Sequence, residues 1–557
     1  MTAHVTRIEL PLERAYFWEK EHDADIFLTQ PVNGIARDWT WAQAMDEARR
    51  MAAHLIAQNW PTGSRIVILS RNSAWWIMAD LAIWMSGHIS VPIYTSLPAD
   101  SVRKLMEHCD PVACFIGPVD SAAPASDSVL SGLPSIRFPN APPCRAQDWD
   151  EIVARQAPLP GQPSRLPSDV ATIIYTSGTT ASPKGVMHSF TAFAYFAKAV
   201  AQSAGENRQR CLSYLPLAHI AERALTETSG IYFGWRIFFS EGLATFLTDL
   251  QRSKATVFFS VPRLYTKLRQ RVLEKIPQNK LDTLLRVPVL GGVAKKKILD
   301  ELGLAHVQCA SSGSAVLQVD LLLWYRNLGL PLAEGYGTSE TGITHAPTGT
   351  RSKPGYVGLS APGVETRIDE NHEVLVRSPM NTLGYYKDRD ATRALLTDDG
   401  FIRTGDLGEL DSEGWLKLHG RIKEQFKTSK GKYISPSSIE GMLSINSAVE
   451  SCIVMGSGLA APFAIIVLSS EAQARANDAV GRTALEESLE DLLNTTNKRL
   501  EHHEQMKFVA LVDSKWTVEK GYMTPTMKLK RAALEAYYAP SIETWLAQAK
   551  PIIWHHD

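Results

Sequence analysis

The spacing of apolar positions predicts alternating helices and strands over the first half of the chain. Apolar residues recur at intervals of three and four from Met45 to Leu55, directly after Thr40 and Gln43, which have the spacing of a capping box. A continuous apolar run at 66–69 is typical of a buried strand, and a tryptophan-rich apolar helix is predicted from Ala74. This alternation favours stacked α/β layers.

The pattern changes after about residue 350. Short alternating runs such as 373–377, with turn signals at 398–400 and 412–414, predict a small antiparallel β unit over about 350–420. By contrast, the stretch 118–165 is rich in Pro, Ser and Ala and predicts an excursion over the surface.

From about residue 424 the pattern restarts as α+β. The runs 463–468 and 508–512 predict strands on either side of a helix. The leucines that we expect on one face of that helix are Leu485, Leu489, Leu492, Leu493 and Leu500.

The chain is therefore predicted to be an α/β protein of two domains. With 557 residues it is longer than one compact domain usually is. We expect a large multi-layer N-terminal domain at 1–420, in which sheets pack against helices and a β-barrel-like unit is added. A stiff hinge at 421–423 would connect it to a small mobile α+β domain at 424–557.

Composition and charge exclude several classes of protein. The net charge of −1 gives no case for a nucleic-acid or acidic-membrane partner. The first residues have no apolar core typical of a signal peptide, and the most apolar window, 74–85, is too short for a bilayer and contains Asp80.

Six cysteines without CxxC spacing favour reduced thiols. We expect a cytoplasmic protein. Its oligomeric state, monomer or homodimer, stays open, as does a transient peripheral membrane contact through the tryptophan-rich N-terminal third. The sequence shows no basic amphipathic helix that predicts a stable anchor.

Candidate chemistry begins at the stretch YTSGTTASPKGV, residues 175–186, which follows a β-branched run at 171–174. Its hydroxyls, glycines and Lys184 supply donors for a polyanion, most often a nucleotide phosphate. It is not a Walker A loop, because Pro183 precedes the lysine and Gly185 follows it. Taken alone, the stretch is also compatible with a polar turn.

Four further polar clusters follow, and each is also compatible with an ordinary turn or a solvated basic face. Residues 334–341, EGYGTSET, place an aromatic ring between glycines and an acid that suits Mg²⁺ beside a phosphate. Residues 403–408, RTGDLG, place an aspartate in a glycine turn. Residues 420–432 and 524–531 are basic.

Together, in this order, the five clusters resemble those of the adenylate-forming superfamily, which includes acyl-CoA synthetases, over about residues 35–540. The segment PLAHIAER at 216–223, with FKTSKGKYISP and TPTMKLKR further on, resembles long-chain fatty acyl-CoA synthetases. Two positions depart from the family pattern: Ala181 stands where glycine is common, and Ser339 stands where threonine is usual.

The resemblance implies a role for each matching residue. Lys184, Glu340 and Lys528 would be catalytic, with Glu340 also holding Mg²⁺ and Lys528 bridging the carboxylate and the α-phosphate. His219, Lys427 and Gly431 would belong to the acyl and CoA sites, and Lys423 would be the hinge. Residues implied to bind ATP are Thr176, Ser177, Gly178, Thr179, Thr180, Lys184, Ser312, Gly313, Ser314, Gly335, Tyr336, Gly337, Thr338, Ser339, Asp406 and Arg421.

The implied activity is ATP-dependent ligation of a fatty acid, expected to be long-chain, to CoA through an acyl-adenylate. ATP and CoA would be co-substrates and Mg²⁺ the metal. Two alternatives stay open: transfer to a separate acyl carrier protein, and activation of an aryl or other carboxylate. A non-catalytic nucleotide- or acyl-binding protein is a remote alternative, which the presence of both Glu340 and Lys528 disfavours.

Overall fold

The apolar run at 66–69 lies inside an eight-stranded sheet with the strand order β20-β9-β8-β4-β3-β5-β6-β7. The computed structural model describes residues 7–120, 130, 132–176, 183–349, 351–524 and 528–555. The middle strands of this sheet are parallel, whereas β8 and β9 form an antiparallel hairpin.

The strands of the N-terminal part are β1 (Ile26–Val32), β2 (Ile35–Thr40), β3 (Arg65–Leu69), β4 (Ile89–Ile93), β5 (Ala113–Ile116), β6 (Ser135–Arg137), β7 (Gln147–Asp148), β8 (Val170–Thr176), β9 (Lys184–Ser189), β10 (Arg210–Ser213), β11 (Arg236–Phe239), β12 (Val257–Ser260), β13 (Cys309–Ser312), β14 (Leu332–Glu334), β15 (Tyr336–Thr338), β16 (Gly342–Ala346), β17 (Leu359–Ser360), β18 (Glu365–Ile368), β19 (Glu373–Arg377), β20 (Gly384–Tyr385), β21 (Ile402–Leu410) and β22 (Leu416–Arg421).

Its helices are α1 (Pro11–Glu21), α2 (Trp41–Ala57), α3 (Ala74–Met85), α4 (Ala99–Cys109), α5 (Trp149–Arg155), α6 (Phe190–Ala204), α7 (Ile220–Glu222), α8 (Ser229–Phe233), α9 (Phe246–Ser253), α10 (Pro262–Lys275), α11 (Gln278–Arg286), α12 (Leu290–Glu301), α13 (Val319–Leu328) and α14 (Arg389–Leu395). A π-helical turn at Arg223–Thr228 joins α7 to α8.

The C-terminal part has a sheet with the strand order β25-β26-β27-β28. Its elements are the 3₁₀ turn Ile422–Glu424, β23 (Phe426–Lys427), β24 (Tyr433–Ile434), α15 (Pro436–Leu443), β25 (Val449–Met455), β26 (Phe463–Leu468), α16 (Ser470–Arg475), α17 (Ala479–Asn497), β27 (Val509–Val512), α18 (Arg531–Tyr538), the 3₁₀ turn Ala539–Ser541, α19 (Ile542–Gln548) and β28 (Ile552–His555).

The core of the N-terminal part is built around α3. Every residue of this helix is buried, including the tryptophans at 75, 76 and 84. The Trp84 indole N–H donates to the carbonyl of Ala171 at 3.0 Å, so the polar atom of this buried ring is satisfied. Because these rings lie in the interior, they offer no surface for the membrane contact that the sequence left open.

The predicted α/β class is confirmed, and so is the antiparallel β unit, which is the sheet β18-β19-β21-β22. The capping box at Thr40 and Gln43 is present and starts α2. Two expectations are wrong. Leu500 lies beyond the end of α17 at Asn497. The stretch 118–165 is more than a surface excursion, because β6 and β7 extend the large sheet and Trp149 of α5 is fully buried.

In the described residues no helix is long and apolar enough to cross a bilayer. The cysteines at 109, 114, 211 and 452 are buried and carry free thiols.

Candidate active site

The β8–β9 hairpin positions the first predicted phosphate ligands. Thr176 is the last residue of β8, and it pairs with Lys184, the first residue of β9. Ser177, Gly178, Thr179, Thr180 and the unusual Ala181 lie outside the described residues. The Lys184 Nζ lies 5.0 Å from the centroid of the Tyr385 ring. The lysine is therefore held beside the following cluster by a cation–π contact.

Tyr385 connects Lys184 to the predicted metal ligand. Its hydroxyl donates to the Glu340 Oε1 at 2.9 Å. The carbonyl of Glu340 accepts from the N–H of Thr382 at 2.7 Å. Glu340 is half-buried, so one carboxylate is fixed near the hairpin yet remains reachable from the site.

Three parallel strands end together just before two of the predicted nucleotide-binding segments. Ser260, Ser312 and Glu334 are paired at the C-terminal ends of β12, β13 and β14. At this edge of a sheet, loops are free to bind ligands. Gly313 follows Ser312, and a Cβ at Gly313 would lie 3.1 Å from the carbonyl oxygen of Gly335. Glycine therefore permits the close approach of the two predicted nucleotide-binding segments.

The 335–341 segment is a tight hairpin. A Cβ at Gly337 would lie 1.9 Å from the carbonyl oxygen of Gly342, so only glycine fits there. The N–H of Thr341 donates to the Thr338 hydroxyl, and the N–H of Thr338 donates to the Thr341 hydroxyl, both at 3.2 Å. Thr338 therefore braces the turn that carries Ser339 and Glu340.

Asp406 is the centre of the predicted ribose site. The Tyr336 hydroxyl donates to its Oδ2 at 2.6 Å, and the Arg421 Nε lies 3.0 Å from its Oδ1. Asp406 is buried, and it is paired with Arg421 in the β21–β22 register. Two acceptor positions of the carboxylate remain for other donors. Burial, followed by the Asp406 charge, raises the pKa of Tyr336 far above its usual range, so Tyr336 stays a donor.

Lys528 reaches this cluster from the C-terminal part. Burial, followed by the Arg421 charge, lowers its pKa, whereas the charges of Asp406, Glu424 and Glu340 raise it. The lysine is thus within electrostatic range of both Asp406 and Glu340, although it keeps an exposed surface. Its N–H donates to the Thr524 hydroxyl at 3.1 Å, which fixes the turn that presents it.

His219 stands at the start of the short helix α7. Its Nδ1 accepts from the N–H of Ala221 at 3.2 Å, so the ring caps α7. Burial, followed by the Lys528 charge, lowers the pKa of His219 to about 4. A ring that is neutral at physiological pH and whose Nδ1 is engaged in a cap is suited to shaping a pocket.

The remaining predicted residues lie in the C-terminal part. Lys423 is exposed in the 3₁₀ turn at 422–424. The Lys427 Nζ lies 5.4 Å from the Tyr433 ring, and its carbonyl accepts from the N–H of Gly458. Gly431, with φ +79°, closes the turn between β23 and β24. Lys427 and Gly431 are therefore held by the small domain itself and not by the Asp406 cluster.

Comparison with known proteins assigns the family. The AMP-binding enzyme model matches residues 17–386, and the model of the AMP-binding enzyme C-terminal domain matches residues 423–550. This chain belongs to the AMP-binding enzyme family. Its resemblance to long-chain acyl-CoA synthetases is confirmed: it is 30% identical to the long-chain-fatty-acid–CoA ligase FadD15 of Mycobacterium bovis, over 94% of this chain and 95% of the relative.

Solved structures of adenylation domains share the fold. The adenylation domain of a carboxylate reductase from Mycobacterium chelonae superposes with a TM-score of 0.82 at 23% identity, covering 97% of this chain and 91% of that one. The anthranilate CoA ligase AuaEII gives a TM-score of 0.77 at 19% identity, covering 95% and 97%. These structures show the shared fold, and the two family models together with the relative at 30% identity make the chain an adenylate-forming enzyme.

Sequence reasoning missed two residues that fix segments of this candidate site. The His188 Nε2 lies 2.8 Å from the carbonyl oxygen of Ser339. His188 is buried, and burial lowers its pKa to about 4, so the neutral ring donates to that carbonyl. It stands four residues after Lys184 on the same strand, hence on the same face of β9. That spacing is the signal in the sequence that places His188 on the same face as Lys184. It does not show that the ring contacts Ser339.

Glu373 was missed as well. Its Oε1 accepts from the N–H of Gly405 at 2.9 Å, which fixes the turn that precedes Asp406. Glu373 comes from the strand paired with β21, and no sequence motif connects the two segments.

Proposed function

We propose that this enzyme activates a long-chain fatty acid with ATP and transfers the acyl group to CoA. In the first half-reaction the carboxylate would attack the α-phosphorus, forming an acyl-adenylate and releasing pyrophosphate. In the second half-reaction the thiol of CoA would attack the acyl carbon and release AMP. The observation that carries the proposal is the cluster in which Tyr336 and Arg421 both contact Asp406. The charge of Lys528 from the C-terminal part couples to this cluster.

The arrangement supports the first half-reaction on electrostatic grounds. Fatty acid and ATP are both anions, so their approach needs positive charge that is placed in advance. Lys184 and Lys528 supply it from two sides of the site. Losing such a transition-state contact typically lowers the rate by a factor of about 10²–10³.

The nucleotide would be held by the elements that meet at Asp406. The two free acceptor positions of Asp406 would take the ribose hydroxyls, and Arg421 would hold the carboxylate in place through their ion pair. We assign adenine to the space beside Tyr336 and the turn 312–314, and the α-phosphate to Ser339. Thr176 and the loop after it would take the outer phosphates.

One carboxylate suits a Mg²⁺ ion that is shared with phosphate oxygens, because Mg²⁺ usually keeps several waters and few protein ligands. Glu340, oriented by Tyr385, would hold it. When bound, the ion would neutralise phosphate charge. In the described residues no group of three His, Cys, Asp or Glu side chains could hold a metal by itself.

The long-chain assignment is supported by the identity with FadD15 over nearly the whole chain. The segment PLAHIAER at 216–223 also supports it, because it resembles the corresponding segment of long-chain acyl-CoA synthetases. The free acceptor CoA is proposed because a relative named as a CoA ligase matches over 94% of this chain.

The test measures AMP release with ATP, Mg²⁺ and CoA across straight-chain acids from short to long. We expect a CoA-dependent rate that is highest with long chains. Lys528→Ala should lower that rate by a factor of about 10²–10³. Lys530→Ala is the matched control, since it removes a neighbouring lysine of the same basic segment and should retain the rate.

Failure of CoA-dependent turnover would be followed by pyrophosphate exchange. Exchange with fatty acids but no CoA turnover would show that the acyl acceptor is a carrier protein and not CoA. Exchange only with aryl acids would show that the substrate is an aryl acid and not a fatty acid. The absence of exchange with every acid would contradict the proposal. The remaining interpretation would then be a non-catalytic nucleotide- or acyl-binding protein.

A further inference from the structure

The connection between α11 and α12 exposes a group of apolar side chains. Val287, Val289, Leu290 and Val293, which we call the apolar tip, have 39%, 83%, 58% and 60% of their surface exposed. All four fall within the seven positions 287–293, so their exposure is concentrated in one short segment. Adjacent exposed apolar side chains mark interaction sites more often than single ones do.

The shape of the tip is fixed by its backbone. The N–H of Gly291 donates to the carbonyl of Val287 at 2.8 Å, and the N–H of Leu290 donates to the carbonyl of Pro288 at 2.7 Å. A Cβ at Gly291 would lie 2.4 Å from the carbonyl oxygen of Leu285, so α11 and α12 are in close contact there. The apolar tip is therefore preformed at the end of a tight helical hairpin.

The hairpin that carries the tip is basic. Residues 278–301 contain five Lys and Arg against three Asp and Glu, a net charge of +2 in a chain whose total is −1. On α12, Lys296 and Lys297 are exposed one turn after Val293. At about 1.5 Å per residue they lie roughly 5–6 Å further along the helix. The buried face of α12 contains Ile298 and packs into the core.

We propose that this hairpin docks the enzyme on an anionic lipid bilayer, with the apolar tip inserted and Lys296 and Lys297 at the level of the lipid phosphates. Shallow insertion of about 5–10 Å suits the distance between the apolar tip and the lysines. A protein partner fits less well, because lysine is depleted in the core of protein interfaces. The aliphatic tip also lacks the aromatic rings that stack on single-stranded nucleic acid.

This inference goes beyond the proposed function, and its test does not depend on catalysis. A bilayer is nevertheless where long-chain acids partition, so docking would place the enzyme at the source of the proposed substrate. The docking surface lies on α11 and α12. It is distinct from α3, whose tryptophans are buried.

The experiment is co-sedimentation of the full chain with vesicles of phosphatidylcholine alone or mixed with phosphatidylglycerol. We expect binding to the anionic vesicles that weakens as salt is raised. Lys296→Gln with Lys297→Gln should weaken it by roughly tenfold or more. Leu290→Ser with Val293→Ser should weaken it by at least a similar factor, because apolar insertion is lost.

Matched controls are Leu243→Ser and Val480→Ser, which remove apolar residues that are 99% and 81% exposed elsewhere on the surface. They should bind vesicles like the parent. No sedimentation with either vesicle, or equal binding by the tip variants and the parent, would overturn the inference. So would self-association in analytical ultracentrifugation that Leu290→Ser with Val293→Ser abolishes, since the occupant would then be a second copy of the chain.

Discussion

At the scale of single residues, the site is organised by buried polar groups whose partners come from distant segments. Asp406 bonds to Tyr336, 70 residues away, and His188 bonds to Ser339, 151 residues away. Each contact satisfies a group that would be costly to bury alone. Individual residues therefore position the catalytic segments as well as contact substrates.

We expect His188 to position the turn that carries Ser339 and Glu340. His188→Leu removes the donor to the Ser339 carbonyl and leaves that group without its partner, which costs roughly 1–3 kcal/mol. Pyrophosphate exchange should fall by about tenfold or more. His188→Gln keeps an N–H donor and should restore most of the rate, with fluorescence-monitored ATP binding following the same order.

A purely packing role for His188 predicts a different result. In that case Leu, which is apolar like the surroundings, would be tolerated at least as well as Gln. Thermal unfolding of both variants serves as the control for folding.

Glu222 gives a prediction about pH. It is buried and accepts from the Ser213 hydroxyl at 2.8 Å, and burial raises its pKa from 4.5 to about 8. Between these values the folded protein holds a proton that the unfolded chain has released. The stability that this proton gives is complete below pH 4.5 and is lost as pH rises to 8.

Glu222→Gln has no carboxyl proton to lose, so the free energy of unfolding of this variant should depend less on rising pH. The unfolding free energy of the variant relative to the parent should rise by roughly 3–5 kcal/mol between pH 5 and pH 8 and stay level above that. Urea unfolding at a series of pH values measures it. A difference that is independent of pH would show that Glu222 is ionised in the folded protein.

At the scale of elements, the site forms where several strand ends meet. The β8–β9 hairpin brings Lys184, the β21–β22 pair brings Asp406 and Arg421, and β15 brings Tyr336. The 3₁₀ turn at 422–424 follows β22 directly, so the proposed hinge adjoins the proposed ribose site without an intervening linker.

We expect a rotation at Lys423 between the two half-reactions. Lys423→Pro fixes φ near −65° and restricts the preceding residue as well, so a hinge there would lose its freedom. Thioester formation should slow by at least tenfold, whereas pyrophosphate exchange should change much less. Lys423→Ala, which keeps the backbone free, is the control. An equal loss in both half-reactions would argue against a hinge at this position.

At the scale of the whole molecule, ion pairs connect the two parts of the chain. Arg499 lies 3.2 Å from Asp320, and Glu450 pairs with Arg263 and lies 4.0 Å from Lys267. Each pair joins the C-terminal part to a helix of the N-terminal part. They help to hold the arrangement in which Lys528 faces Asp406.

Removing these pairs should favour other domain arrangements. Glu450→Gln with Arg499→Gln loses roughly 0.2–1 kcal/mol per exposed pair, so pyrophosphate exchange should fall by about two- to tenfold at low salt. The loss should shrink as salt rises. Arg482→Gln breaks the pair with Glu486 inside the C-terminal part and is the control. An unchanged rate at low salt would show that the pairs do not stabilise the arrangement.

Much of the fold followed from local patterns. The capping box at Thr40, the strand at 463–468 and the antiparallel unit at 365–421 all appear where periodicity placed them. These features depend on neighbours within a few residues, which a sequence displays directly. The stretch 118–165 was misread because its turn-forming composition hid short strands that only pairing with β5 reveals.

The sequence by itself determined the class of the fold, the order of the five polar clusters and the residue types available for chemistry. Only the tertiary structure decided which of them meet. The contacts of Tyr336 with Asp406, Tyr385 with Glu340 and His188 with Ser339 join segments 45 or more residues apart. The physical reason is that such pairs form through strand order and packing, which leave no periodic trace along the chain.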